Sequence, residues 1–160
     1  MKQAIWQKIF ENKAAKPDQS WLISPETGRE ISWSEAADLA QNIASIIAGS
    51  GIPKGASIAI ASPNSLAAVT LMVGVTTAGY LATPLNLVAG AKVMGYVLKH
   101  CKAELVFCAA ESRALVEEVV TSLPQNLRII ELHPEEGPIW PEDMEASAVQ
   151  NFQFAAPNNP

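Results

Sequence analysis

The sequence predicts an α/β fold: a mostly parallel sheet of about four strands with βαβ crossovers and flanking helices, preceded by an N-terminal helix and a β-hairpin. Three observations carry this. Apolar, β-prone runs at 57–61, 80–83, 104–108 and 127–131 start about 22 to 25 residues apart. The intervals 64–77, 90–101 and 111–123 each have the length of one helix, and a strand joined to a parallel neighbour needs such a crossover. No charged residue lies between Lys54 and Lys92, as elements covered on most of their sides require.

The elements follow in chain order. Ile5, Trp6, Ile9 and Phe10 recur at helical spacing, predicting a short amphipathic helix near 3–12. Residues 21–24 and 30–33 flank Pro25-Glu26-Thr27-Gly28-Arg29, whose proline and glycine suit a turn between antiparallel strands. Ser32 and Glu35 have the spacing of a capping box, so a helix should start there. Its buried stripe reads Ala36, Leu39, Ala40, Ile43, Ile46 and Ile47, with Asp38, Gln41, Asn42 and Ser45 facing water and Gly49 and Gly51 ending it. Gly79 permits a tight helix-to-strand turn, and Pro84 stands where a parallel strand ends. From 133 to 160 there are five of the eleven prolines and no lysine or arginine, and acidic residues stand at 135, 136, 142, 143 and 145. The division expected is therefore an α/β unit over 1–131 and a Pro-rich acidic linker or tail over 132–160, in which Phe152 and Phe154 could dock a short strand against the body.

Composition excludes several function classes. A net charge of −5 with 17% charged residues lacks the basic footprint of a nucleic-acid or anionic-lipid binder. Cys101 and Cys108 have neither metal-ligand nor disulfide-framework spacing and read as buried free thiols. The apolar stretch around 66–75 is broken by Pro63, Asn64, Pro84 and Asn86, too short for the ~20 residues of a membrane span. The N-terminus has no signal-peptide pattern, so a cytoplasmic address is expected.

Motifs of catalytic appearance do not survive their context. Gly49-Ser50-Gly51-Ile52-Pro53-Lys54-Gly55 resembles a phosphate loop, but such loops follow a strand and open a helix, whereas this one ends a helix and enters a strand. His100 sits at a helix C-terminus, where the dipole favours it, and His133 sits in the tail. Glu117-Glu118 and Glu135-Glu136 read as solvated charge. No catalytic residue and no metal ligand is assigned.

Ile31-Ser32-Trp33-Ser34-Glu35, the run from Gly51 to Ile60, Thr77-Ala78-Gly79-Tyr80-Leu81-Ala82-Thr83-Pro84-Leu85-Asn86 and the run from Tyr96 to Phe107 occur in one order. Together they resemble the N-terminal region of the AMP-forming acyl-CoA synthetases and the wider adenylate-forming superfamily. The likeness covers residues 5 to 131, with Ala56 and Leu87 standing where the family usually carries Asp and often Pro. The resemblance implies a parent enzyme that uses ATP, Mg²⁺ and CoA to turn a carboxylate into an acyl-adenylate and then a thioester. It also implies a Ser/Thr/Gly-rich phosphate loop ending in Pro-Lys-Gly, and a later C-terminal-domain lysine; neither can be assigned within the 160 residues.

The expectation is therefore an N-terminal piece that folds but is inactive alone and binds no cofactor itself, its partners being the remaining subdomains of the parent enzyme. The alternative is a stand-alone interaction module that self-associates or docks on a partner supplying those subdomains. Leu85, Asn86, Leu87 and Val88, leaving the C-terminal end of a parallel strand, are candidates for lining a CoA or acyl entrance. The competing reading is a plain connecting loop.

Overall fold

The computed structural model describes residues 4–154. Helix α1 (Ile5–Ala15) leads into the hairpin β1 (Ser20–Ile23) and β2 (Glu30–Ser32), then the long helix α2 (Trp33–Gly49). There follow β3 (Ser57–Ala61), α3 (Leu66–Thr77), β4 (Leu81–Pro84), α4 (Gly90–His100), β5 (Ala103–Cys108), α5 (Arg113–Thr121) and β6 (Arg128–His133). Strand β7 (Gly137–Pro138) and helix α6 (Glu142–Ala146) complete the elements. The sheet order is β4-β3-β5-β6-β7, parallel except for the last pair.

Period-two alternation in the central strands builds two cores. Ile58, Ile60, Leu105, Phe107, Ile130 and Leu132 face α2 and α3, whereas Ala59, Ala61, Val106 and Cys108 face α4 and α5. The connection from β3 runs to β4 on one side, and that from β4 returns past β3 to β5. Right-handed crossovers in opposite directions place α3 and α4 on opposite faces. A third cluster, with Ile9, Ile31, Ala36, Ala37 and Leu66 at its centre, seats α1 and the hairpin over α2 and α3.

Helix α2 starts as its sequence dictates: Glu35 N donates to Ser32 Oγ at 3.2 Å and Ser32 N donates to Glu35 Oε2 at 2.8 Å. The Ser32 amide foremost, and then the Ser32 hydroxyl, which donates to the same Oε2 at 2.8 Å, hold the Glu35 carboxyl below its ordinary value. Helices α2 and α3 meet at a glycine: a Cβ on Gly74 would lie 2.7 Å from both Cβ and Cγ2 of Ile43. Gly79 takes φ +89° at the turn into β4, as the tight turn needs.

Two readings of the sequence differ from the structure. Residues 132–154 are not an extended tail: β6 runs on to His133, Trp140 meets the Phe107 ring edge-on at 5.4 Å, and Met144 is buried. Arg128 grips Asp143 through two bonds of 2.6 and 2.7 Å. The prolines shape turns here rather than prevent packing, and sparse apolar anchors replace a periodic face. The chain then crosses α2, where Ser45 Oγ donates to Val149 O and Gln41 Nε2 to Phe152 O, so Gln41 and Ser45 are half-buried rather than facing water. Phe154 stacks on Trp6 at 5.4 Å and contacts Phe10 and Phe152 without forming a strand.

Overpacking costs about 1–3 kcal/mol, and the better helix propensity of alanine, about 1 kcal/mol, offsets only part of it. Gly74→Ala is therefore expected to lower the urea midpoint of unfolding without loss of helical circular dichroism. Ser32→Ala should cost about 1 kcal/mol by removing the cap. Because the folded carboxyl of Glu35 titrates below its unfolded value, its stabilisation is complete above the ordinary carboxylate range and disappears as pH falls through the lowered value. Glu35→Gln should accordingly flatten the acid limb of a stability-against-pH curve while leaving its slope near neutrality unchanged.

Candidate functional site

Open parallel sheets bind ligands beyond the C-terminal ends of their strands, at the point where successive connections leave on opposite faces. Here that point lies at β3, flanked by β4 and β5. The loops meeting at this edge give a cleft of about 260 Å³ lined by Ser24, Glu26, Ser62, Asn64, Ser65, Glu111 and Glu135, together with Pro63 and Pro134. The hairpin reaches it because Thr27 Oγ1 donates to a Glu135 carboxylate oxygen at 3.3 Å and Arg29 donates to the Glu135 carbonyl.

Its chemistry does not suit a triphosphate. Three carboxylates and no cation line it, so concentrated negative charge would be repelled. At the start of α3, which points amides toward this edge, two amides are already engaged: Ala68 N donates to Ser65 Oγ at 3.1 Å and Ala67 N to Pro134 O at 3.0 Å. A nucleotide would meet no cationic side chain in this lining, and no chemical step is assigned to it.

The glycine- and lysine-bearing segment 49–55 lies at the opposite end of the strands, before β3. Its groups are used in the framework: Ser50 N donates to Ile47 O and Ala56 N to Pro53 O, closing local turns, while Gly55 N reaches across to Gly79 O before β4. His100 ends α4 and stacks on Tyr96 with ring centroids 5.6 Å apart. His133 has a role its position did not reveal, as Nδ1 accepts from the Glu135 and Glu136 amides at 3.3 and 3.1 Å, shaping the turn into β7. Among the described residues no group of three or more His, Cys, Asp or Glu could hold a metal ion.

The loop after β4 divides. Leu85 is buried in the α4–α5 core and its amide donates to Ile60 O at 2.9 Å. Asn86 folds back to accept from Val88 N at 3.0 Å, opening a turn of 3₁₀ helix at Leu87–Ala89. Leu87 packs partly against the same core, and Val88 projects into solvent with 96% of its surface exposed. Sequence reasoning missed Ser62, Ser65 and Glu111 as cleft-lining residues. Ser65 was findable as a helix-capping serine immediately before an apolar run.

Burial pushes the Cys108 thiol up to about 11, while Cys101 is partly exposed. No described helix is long and apolar enough to cross a membrane.

The model of a family described as "AMP-binding enzyme" matches residues 9–159. A sulfoacetate–CoA ligase of Cupriavidus necator is 24% identical over 127 residues, covering 79% of this chain and 25% of the ligase. A benzoate CoA ligase from Burkholderia xenovorans LB400 superposes with TM-score 0.78 at 18% identity, over 96% of this chain and 30% of that one. The N-terminal domain of FACL13 from Mycobacterium tuberculosis gives 0.74 at 20% identity, over 92% of this chain and 36% of that one. At such identities the solved structures establish the fold. The chain spans about a quarter of the length of the curated relatives it matches.

Because the thiolate is the reactive form, Cys101 should react with Ellman's reagent at neutral pH at least about tenfold faster than Cys108. Titration should give one fast thiol in the native protein and both in guanidinium. Two fast thiols in the folded chain would contradict the burial of Cys108.

Proposed function

This chain belongs to the AMP-binding enzyme family, and we propose that it forms the N-terminal portion of an AMP-forming acyl-CoA ligase. The carrying observation is the family match across residues 9–159 together with the quarter share of ligases that the chain occupies. In the proposed parent enzyme a carboxylate oxygen attacks the α-phosphorus of ATP, the bond to pyrophosphate breaks, and the acyl-adenylate forms. The sulfur of CoA then attacks the acyl carbon and AMP departs. ATP, Mg²⁺ and CoA are the substrates and cofactors of that reading, and the cell's cytoplasm is its proposed location.

Within this division of labour the described residues supply framework. Stabilising a reacting triphosphate needs preorganised donors, a metal ion and cationic side chains. The cleft at the strand ends has carboxylates instead. The nucleotide machinery on this reading comes from polypeptide outside these residues, and the 160-residue chain by itself is inactive. The exposed turn at Val88 remains the part of the proposed acyl or CoA entrance that reaches solvent.

The test is ATP–pyrophosphate exchange with a panel of short, long and aromatic carboxylic acids, run on the 160-residue chain and on the polypeptide extended through its own reading frame. The isolated chain should stay at the no-enzyme background and the extended one should exchange with at least one acid. Exchange by the isolated chain overturns the assignment of the nucleotide machinery elsewhere; absence of exchange by the extended one overturns the ligase.

A further inference from the structure

A cavity of about 220 Å³ lies between the hairpin, α2, α3 and the turn into β7. Buried Ile31, Ile43 and Ala67 form its floor, with Leu39 and Pro138 beside them. Arg29, Asn42, Glu135, Glu136 and Trp140 line the rest, so an apolar interior meets a charged and polar rim. Such a space has room for about seven waters, or for one small organic molecule. Apart from Glu135 it shares no lining residue with the strand-end cleft.

The charges around it are not matched to one another. Arg29 donates to the Glu135 carbonyl, yet among the described residues its guanidinium forms no ion pair, although two carboxylates line the same cavity. The Glu135 carboxylate accepts from Thr27 Oγ1 at 3.3 Å. The Glu136 carboxylate, the Asn42 amide and the Trp140 indole N–H have no hydrogen-bond partner among the described residues. Thr70 also borders the cavity, but its hydroxyl is directed to the Leu66 and Ala67 carbonyls at 3.0 and 3.1 Å.

Opposite charges held apart around one cavity suit a molecule that carries both signs. An anion alone would gain Arg29 but face two carboxylates, and a cation alone would gain the carboxylates but face Arg29. A neutral apolar molecule would strip water from both and offer nothing in return.

We propose that this cavity binds a small zwitterion with a compact aliphatic side chain, the chemistry of an α-amino acid such as leucine. Its carboxylate meets Arg29 and Asn42, its ammonium meets Glu136, and its aliphatic part rests on Ile43, Ala67 and the Trp140 ring. The walls are set before the ligand arrives, which lowers the cost of binding. Trp140 is fixed by its edge-on contact with Phe107, and the turn carrying both glutamates is held by His133 Nδ1, which accepts from their amides. The site does not depend on the ligase reading.

The experiment follows the backbone amide, Arg29 and Trp140 indole resonances of the 160-residue chain during titration with three probes. They are L-leucine, isocaproate, which lacks the ammonium, and isoamylamine, which lacks the carboxylate. Arg29 and Glu136 are exposed, so solvent screens both contacts and leucine should saturate with a Kd of about 1 mM. The largest shifts should fall at Arg29, Asn42, Gly137 and Trp140. Each single-charge probe should bind at least about tenfold more weakly, the loss of one charge-assisted contact.

Two variants give a crossed signature that a purely structural role would not produce. Glu136→Gln should weaken leucine at least about fivefold while isocaproate binds no less tightly, since a repelling charge has gone. Arg29→Gln should weaken leucine by a similar factor while isoamylamine binds no less tightly. Should the arginine variant lose its native circular dichroism, the Glu136→Gln result decides alone. Absence of saturable leucine shifts up to about 20 mM would overturn the site, as would single-charge probes binding within about twofold of leucine. Saturable shifts centred outside the cavity would overturn it equally.

Discussion

Burial of β3 and β5 on both faces is the constraint from which the rest of this structure follows. All five residues of β3 and five of the six in β5 are buried, so neither strand can lend a face to solvent. Isoleucine, leucine and phenylalanine fill the α2–α3 side, whereas alanine, valine and cysteine admit α4 and α5 to the other. A parallel pair of this kind cannot be joined by a hairpin, so the covering helices come as crossovers and must themselves be apolar toward the sheet. The uncharged run from 55 to 91 is the sequence-level consequence.

The same constraint locates functional potential without supplying it. Opposed crossovers from β3 and β4 open a crevice at the strand ends, a place where related architectures hold ligands. What fills it here is glutamate, serine and asparagine, held by the hairpin turn and by the His133-centred turn before β7. Fold and function separate at this point: the scaffold is that of an AMP-binding enzyme, while its reacting groups must be argued residue by residue.

Legibility in the sequence followed periodicity. The capping box at Ser32 and Glu35, strand β3 and the three crossover helices announced themselves through spacing, and the hairpin through its Pro-and-Gly turn. Strand order did not, because it depends on which way each crossover travels and no local residue records that. Strand β7 and helix α6 were also illegible, since Trp140 and Met144 are two isolated anchors that make no sustained periodic face, whereas Phe152 and Phe154 were legible as docking residues but not the path of their segment across α2. Gln41 and Ser45 looked solvent-facing for a related reason: hydrogen-bonding partners a hundred residues away leave no trace beside them. Of the proposed site, Leu85 through Val88 were placed correctly at a strand end, but only the structure distinguishes the buried Leu85 from the projecting Val88.

The central claim is that these residues are framework whose strand-end cleft does not hold a nucleotide. Amide chemical shifts of the 160-residue chain, followed during titration with Mg·ATP, test it most directly. The account predicts no saturable shift at Ser62, Asn64, Ser65 or Glu111 up to millimolar nucleotide. Saturable shifts centred on those residues, abolished by replacing Ser65, would contradict it.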